Sequence, residues 1–240
     1  MKEYLTDLVH HTFDTGCVSL VKITGDDKKT SINGIEENKT VVLEGEFKAP
    51  MAEFIGTFGM PNLNKLKMIL NMSEYGEGGQ FSIVRDSDKN PEGILFENAT
   101  KDFSNRYRFM DSAIVNEQIK KLKMRPLNWA VTFNPTNSSI QRLKMQISVH
   151  SEEPTFQMQQ KGSDIVCNFG DHSSHAGSFV FERGVSGQLK HKWNFPSAST
   201  LAILNLVGDK TIRVSDDGAL QISLDSGLAN YTYTILAHTK

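Results

Sequence analysis

The sequence of 240 residues is poor in cysteine and in long apolar runs. Its two cysteines, Cys17 and Cys167, lie 150 positions apart and suggest no disulfide framework. No apolar run approaches the roughly 18 residues that identify a membrane-spanning helix. The N-terminus also lacks an apolar segment followed by a small-residue cleavage site. We therefore expect a reduced, cytoplasmic protein without a membrane partner, in the host cytoplasm if the protein is viral.

A basic excess is also lacking, because the formal net charge is −2. Proteins that bind DNA tightly usually carry such an excess, since neutralised phosphates supply most of their affinity. The net charge of −2 therefore excludes a uniformly basic DNA-binding protein. Any contact with nucleic acid must be weak, or the cations must be segregated onto one surface.

Catalytic motifs are missing as well. The sequence contains no Gly-x-Ser-x-Gly and no Walker-type loop. The "GEGGQ" run at 76–80 indicates a flexible hairpin, because no Lys-Ser/Thr pair and no helix signal follow it. Aspartates and glutamates are scattered over turns and strand edges without forming an acid/base pair. We expect no enzymatic activity, no catalytic residue and no cofactor.

One loop has ligand types that suit zinc. The run "CNFGDHSSH" contains Cys167, Asp171, His172 and His175. Gly170 and the serines mark the same run as a loop between strands, and no second ligand pair has matching spacing. We favour a solvated hairpin tip and predict no metal, while a metal-dependent enzyme built on this loop remains an alternative.

Short strands separated by turn signals dominate the chain and predict an α+β fold with antiparallel sheets. Asp217-Gly218 marks a hairpin between two strands, because "ALQISLD" after it alternates apolar and polar residues. Four short helices are predicted from apolar residues at helical spacing. Their apolar stripes are Leu5, Leu8, Val9 and Phe13; Leu63, Leu66 and Leu70; Ile140, Leu143 and Ile147; and Leu201, Leu204 and Val207. Ser138 or Ser139 is the expected cap of the third helix, and Gly208 the expected end of the fourth.

Each half of the chain has a similar order of elements, with two helices set among strands. The stretch "DSAIVNEQIKKLKMRPL" interrupts the strand rhythm near the middle of the chain. We predict an N-terminal domain at 1–110, a connector at 111–127 and a C-terminal domain at 128–240.

The second and third helices share one residue pattern. Lys65, Leu66, Lys67 and Met68 recur as Arg142, Leu143, Lys144 and Met145, all at one offset (144 − 67 = 77). This repeated pattern, called the echo below, relates the second helix of one half to the first helix of the other half. It reflects either a finer four-unit repeat or convergence on the same requirement for a helix face.

Both helices are free of acidic residues, between Met60 and Asn71 and between Phe133 and Ser148. An ordinary solvated face usually mixes both signs, although a surface helix with lysines by chance stays open. The alternative is a pair of helices that present cations to a sequence-independent polyanion. Its candidate DNA-facing residues are Lys65, Lys67, Arg142, Lys144, His10 and His11. The two histidines are either surface residues or weak phosphate contacts when protonated.

These features together resemble the sliding clamps of DNA replication, above all the two-domain clamps of T-even-type bacteriophages. The resemblance is best from about Asn128 onward, over "GDHSSHAGSFVFERG" and "STLAILNLVGDKTIRVSDDGALQISLDSGLANYTYTILAHTK". It implies two similar domains, each with two helices packed on antiparallel sheets, and a closed homotrimeric ring around duplex DNA. It also implies a processivity factor that binds DNA without sequence specificity and has the replicative polymerase and the clamp loader as partners. The fourth helix departs from the pattern, because it has no basic residue.

The resemblance further implies positions for subunit contacts and for partners. A strand around Asn105–Met110 would pair across the subunit boundary with one around Gly177–Gly184, which closes open strand edges. The interface residues implied are Arg106, Tyr107, Arg108, Phe109, Ser178, Phe179, Val180 and Phe181. The residues implied in a groove for an apolar partner peptide are Ile114, Val115, Ile119, Leu122, Leu236 and Ala237. A viral structural protein that self-associates symmetrically through its strand edges is the alternative from another class.

Overall fold

The computed structural model describes residues 1–120, 126–170 and 175–238. The chain divides into two compact units, Met1–Leu122 with Ser226–Tyr231 and Lys123–Asp225 with Thr232–Lys240. The predicted Leu122, Asp171 and His172 lie outside the described residues. Within the described ranges, no helix is long and apolar enough to cross a membrane. The domain bounds 1–110 and 128–240 stay a prediction.

The first unit places three helices against two antiparallel sheets. Its helices are α1 (Lys2–His11), α2 (Leu63–Leu70) and α3 (Ser112–Gln118). Its strands are β1 (Val21–Gly25), β2 (Thr30–Ile35), β3 (Val41–Phe47), β4 (Gly56–Met60), β5 (Gln80–Arg85), β6 (Pro91–Glu97) and β7 (Ser104–Arg108). Hydrogen-bonded neighbours follow the orders β4-β1-β2-β3 and β5-β6-β7. Helices α1 and α2 pack on each other, and α2 also contacts β7.

The second unit also packs helices against two antiparallel sheets, and it has two helices. They are α4 (Asn137–Val149) and α5 (Ser197–Leu204). The strands are β8 (Trp129–Phe133), β9 (Thr155–Lys161), β10 (Asp164–Phe169), β11 (Gly177–Glu182), β12 (Trp193–Pro196), β13 (Lys210–Ser215) and β14 (Ala219–Asp225). Neighbours follow the orders β14-β13-β8 and β11-β10-β9-β12. The boundary between the units at residues 231 and 232 falls inside the last strand, β15 (Ala229–Leu236).

The periodic segments fold as predicted where one face is clearly apolar. Leu63, Leu66 and Leu70 are buried along α2. The hairpin at Asp217-Gly218 joins β13 to β14, and Gly218 adopts φ +83°, a left-handed conformation that favours glycine. Its register pairs Ile212 with Ile222.

The predicted ends of two helices are wrong. Helix α4 begins after Thr136, whose hydroxyl accepts a hydrogen bond from the Ser139 N–H at 3.1 Å, so the cap is Thr136 and not Ser138 or Ser139. Helix α5 ends at Leu204 rather than at Gly208, and Val207 is 78% exposed. The end of α5 could not be predicted from periodicity, because small and apolar residues occur on all sides of this helix and define no single apolar face.

The segment 111–127, predicted as a connector, contains a helix. Asp111 caps α3 by accepting a hydrogen bond from the Ala113 N–H at 2.7 Å. The helix packs on β4, where a Cβ built on Gly59 would lie 2.9 Å from Val115 Cγ2. A glycine at 59 therefore lets α3 approach the sheet closely.

Candidate nucleic-acid interface

Helix α2 presents one exposed cation and one paired cation. Leu66 is fully buried, and Lys65, one position before it, is exposed. The Lys67 ammonium is half-buried and lies 2.8 Å from the Asp14 carboxylate, which follows α1 in the chain. The same carboxylate lies 3.5 Å from His10 Nδ1. The sequence did not indicate the Asp14 contact, because 53 residues separate the two partners.

Helix α4 presents two exposed cations. Leu143 is fully buried, while Arg142 and Lys144 on either side of it are exposed. Neither side chain forms an ion pair with a carboxylate in the described part of the chain. Arg142, Lys144 and Lys65 are thus available to a polyanion, whereas Lys67 is partly neutralised.

The two predicted histidines have different environments. His10 is exposed, with a side-chain exposure of 47%. His11 is buried, and its ring stacks on Tyr231 with the ring centroids 4.5 Å apart. The prediction that His11 faces DNA is therefore wrong, because its position on the helix turns it towards the interior. Adjacent helical residues point about 100° apart, so His10 stays at the surface, although its ring meets the His11 ring edge to face with the centroids 5.1 Å apart.

His11 belongs to a buried network around Asp7. The Tyr231 hydroxyl donates to Asp7 Oδ2 at 2.8 Å, and the Ser226 hydroxyl donates to the same oxygen at 3.1 Å. His11 Nδ1 lies 3.2 Å from Asp7 Oδ1. Burial opposes ionisation of Asp7, but the hydrogen bonds from His11, Tyr231 and Ser226 outweigh it, so the pKa of Asp7 is lowered. The network holds α1 against the 226–231 segment.

Replacing Asp7 by asparagine is expected to destabilise the protein in a pH-dependent way. Since the pKa of Asp7 is lower in the folded state, its stabilisation is complete above the ordinary value of 3.8 and is lost as the pH falls through the folded value. Asp7→Asn should lower the free energy of unfolding at pH 7 by about 1–3 kcal/mol. Urea unfolding followed by circular dichroism at pH 7 and pH 3 checks this, and the difference from the wild type should shrink at pH 3. Asp27→Asn, at an exposed turn, is the matched control; an equal effect there would contradict the prediction.

The predicted partner residues are partly buried. Val115 is 0% exposed and Ile119 is 5% exposed, so neither is free to line a groove, because both pack into the first unit. That part of the prediction is wrong. Ile114 and Leu236 are large apolar residues with exposures of 49% and 39%, and Ala237 is half-buried. These three remain candidates for contacts with a partner.

The strands predicted at subunit boundaries lie at sheet edges. Among the strands of the described residues, β7 has one neighbour, β6, and β11 has one neighbour, β10. Burial alternates along β7, where Tyr107 is buried and Arg106 is exposed, and Phe181 is buried on β11. Phe109 is also buried, Ser178 is exposed, and Phe179 and Val180 are half-buried. The outer backbone edges of both strands are open to a further strand.

The zinc-like cluster is not assembled among the described residues. Cys167 is fully buried, and burial raises the pKa of its thiol. His175 is exposed and lies two residues before Gly177, which pairs with Phe169. At the rise of about 3.3 Å per strand residue, Cys167 and His175 are roughly 13 Å apart along the hairpin. No group of three or more His, Cys, Asp and Glu side chains in the described ranges could hold a metal ion.

The chain has a recognisable fold but no recognisable sequence family. No protein-family model matches it, and no curated protein matches it in sequence. Its structure is similar to that of PCNA from Thermococcus kodakaraensis, with a TM-score of 0.71, 11% identity, and coverage of 99% of this chain and 97% of that chain. It is also similar to A. fulgidus PCNA bound to the C-terminal region of FEN-1, with a TM-score of 0.71, 10% identity and coverage of 100% and 96%. The predicted α+β DNA-clamp fold is confirmed for the described residues.

Proposed function

We propose that the chain is a sliding clamp, a ring of three copies that encircles duplex DNA and confers processivity on a replicative DNA polymerase. The similarity to PCNA over 99% of this chain and 97% of the other carries the proposal. We further propose that it belongs to a bacteriophage of the T-even type or a relative, and that it acts as a scaffold rather than as an enzyme. Each copy would supply clamp domains at 1–110 and 128–240, joined by 111–127.

The charge distribution supports a ring that holds DNA loosely. The net charge of −2 is unsuited to a tight DNA binder, yet Lys65, Arg142 and Lys144 are exposed on helices without acidic residues. A closed ring stays on DNA by topology, so its contacts with phosphate can be few and exchange quickly. Such contacts are independent of base sequence and weaken with salt.

Open sheet edges support closure into a ring. A strand edge without a partner invites pairing with another chain, and a closed assembly of identical copies uses each edge once. We propose that β7 of one copy pairs with β11 of the next. With two domains in each chain, three copies give six domains, the number implied by the resemblance to clamps.

Partners are proposed to dock through apolar side chains. The A. fulgidus PCNA structure contains the C-terminal region of FEN-1, so that PCNA binds a region of another protein. We propose that the polymerase and the clamp loader contact Ile114, Leu236 and Ala237 here. Ile114 and Leu236 are exposed large apolar residues, of the kind that marks interaction sites.

The deciding experiment compares primed circular DNA with primed linear DNA of the same sequence. With a cognate polymerase and loader, the protein should lengthen the products at least tenfold on the circle. It should have much less effect on a linear template with free ends, because a ring slides off. Equal stimulation of both templates, or none on the circle, would refute the proposal. Analytical ultracentrifugation should give the mass of three chains.

Removing the carboxylate of Asp14 is expected to strengthen DNA binding slightly. Asp14→Asn frees the Lys67 ammonium from a contact of 2.8 Å and removes a negative charge beside α2. Exposed ion pairs contribute about 0.2–1 kcal/mol, so affinity for a short duplex at low salt should rise roughly twofold to fivefold. Fluorescence anisotropy measures this, with Asp88→Asn at an exposed turn as the control. Equal affinities for Asp14→Asn and the wild type would show that Lys67 does not contact DNA.

A further inference from the structure

The first unit contains a cavity that none of the contacts proposed above uses. We infer that this cavity, of about 450 Å³, binds an arginine side chain that a partner protein presents on an exposed segment. Its lining comes from two loops, within residues 13–19 after α1 and within residues 36–38 after β2. It shares no residue with Ile114, Leu236 and Ala237, so the inference adds a separate contact and names the chemistry of the residue that enters it.

Part of the cavity lining is apolar. Cys17 and Val18 are buried, and Phe13 is half-buried. Val18 packs closely on β2, because a Cβ built on Gly34 would lie 2.6 Å from Val18 Cγ1. An apolar lining suits the aliphatic stem of a long side chain, which leaves water there while the charged end stays near the surface.

Two carboxylates complete the lining. Glu36 is half-buried and Glu37 is exposed. Neither forms an ion pair with a cation of the described residues, including Lys39, which follows Glu37 by two positions. The Thr40 hydroxyl donates to Glu36 Oε2 at 2.7 Å, so the other oxygen of Glu36 can accept from a ligand. An apolar cavity with two carboxylates is complementary to a side chain with an apolar stem and a cationic end.

Arginine fits this lining better than lysine does. The planar guanidinium has five N–H donors in a fixed fork, which can bond to two carboxylates at once, whereas the lysine ammonium is a compact and strongly hydrated point charge. Phe13 adds an aromatic ring to the lining, and guanidinium groups stack on such rings. The carboxylates therefore select a cation, and the ring favours a planar one.

Both loops are held in place by their own hydrogen bonds. The Gly16 N–H donates to the Phe13 carbonyl oxygen at 2.9 Å, which closes the turn after α1. In the other loop, the Glu36 N–H donates to the Val41 carbonyl oxygen at 2.9 Å, and the Lys39 N–H donates to the Glu36 carbonyl oxygen at 2.8 Å. Loops fixed in this way lose little conformational freedom on binding, so a contact with a single side chain can still be selective.

The charge of the cavity identifies the class of partner. Carboxylates repel phosphates, so Glu36 and Glu37 exclude the DNA backbone as the occupant. An arginine side chain combines a planar cationic fork with an apolar stem, and arginine is enriched among the residues that dominate binding at protein interfaces. The occupant is therefore assigned to a protein segment that exposes an arginine.

Peptide binding tests the assignment. The probes are short alanine peptides with an uncharged dye and with arginine, citrulline or lysine at the centre, since citrulline has the shape of arginine without its charge. In fluorescence anisotropy at low salt, the arginine peptide should bind the full-length protein about fivefold more tightly than the citrulline peptide, as expected for two exposed ion pairs. It should also bind more tightly than the lysine peptide. Equal binding of the arginine and citrulline peptides, or no binding of either, would overturn the inference.

Removing the two carboxylates gives a second readout. Glu36→Gln combined with Glu37→Gln should weaken binding of the arginine peptide about fivefold and leave the citrulline peptide unchanged. Glutamine at 36 keeps an oxygen that accepts from Thr40, so the loop should stay folded, which circular dichroism checks. The matched control, Glu44→Gln with Glu46→Gln, makes the same change in net charge at exposed positions of β3. An equal loss in both variants would show that net charge alone attracts the peptide, against the inference.

A competition assay separates a protein side chain from a free polyamine. Spermidine at the concentration of the arginine peptide should displace little of it, and full displacement would overturn the assignment to a protein partner. The assay contains no DNA and no polymerase, so its result is independent of the proposed ring. Arginine selectivity in a protein that gives no processivity would overturn only the proposed function. A processive clamp without arginine selectivity would overturn only the inference.

Discussion

Reversing the charges of Lys65, Arg142 and Lys144 to glutamate is expected to abolish processive synthesis on circular DNA. These three cations are exposed and lie on helices without acidic residues. Each phosphate that is no longer neutralised reduces the slope of log affinity against log salt by about 0.9, and each new glutamate repels the DNA backbone. Product length on a primed circle should fall at least tenfold, while the mass of the assembly stays that of the wild type. Primer extension at several salt concentrations measures the effect.

Lys67 is left out of this variant for a structural reason. Its ammonium lies 2.8 Å from Asp14, so a glutamate at 67 would place two carboxylates together and disturb the packing of α2 on α1. The matched control reverses three exposed lysines at turns or strand ends, Lys39, Lys89 and Lys161. It makes the same change in net charge and should keep long products. Equal losses in both variants would show that net charge, rather than the α2 and α4 surface, decides processivity.

Leu143→Ala is expected to cause a large loss of stability in the second unit. Leu143 is 0% exposed and lies on the face of α4 that packs on β10 and β11. Truncating a fully buried leucine removes its burial and leaves a cavity, which costs about 2–5 kcal/mol. The free energy of unfolding of the second unit should fall by this amount.

The chain offers a specific probe and a matched control for this measurement. Both tryptophans, Trp129 and Trp193, lie in the second unit, so fluorescence during urea unfolding reports on that unit. Gln141→Ala changes an exposed position on the same helix and should shift stability by no more than about 0.5 kcal/mol. All variants are compared at one protein concentration, because association raises apparent stability. Similar midpoints for Leu143→Ala and Gln141→Ala would refute the packing of α4.

The helices and hairpins that could be predicted from the sequence are those with one clear apolar face. Leu63, Leu66 and Leu70 define α2 because three leucines at helical spacing bury together and leave the polar residues outside. Helix α5 is harder to predict, since its residues are small or apolar all round and its buried face includes Thr200. The burial of such a helix depends on the neighbouring strands, which periodicity does not describe.

The residues of the candidate interface likewise include some whose exposure could be predicted from the sequence and others whose contacts could not. The cations Lys65, Arg142 and Lys144 could be predicted as exposed, because each is adjacent to a buried leucine on a helix. The pairing of Lys67 with Asp14 could not, because the two residues approach only when α2 packs on α1. The burial of His11 likewise depends on Tyr231, which is distant in sequence.

The sequence by itself determined the fold class, the absence of a basic excess, and the acid-free α2 and α4 with their echo. These properties depend on composition and on spacing between near neighbours along the chain, which side-chain periodicity records. Only the tertiary structure decided that Val115 and Ile119 are buried, that β7 and β11 are sheet edges, and that Met68, Met145 and Val149 remain exposed. Burial and edge positions depend on contacts between residues far apart in the chain, and those contacts exist only after the sheets have formed.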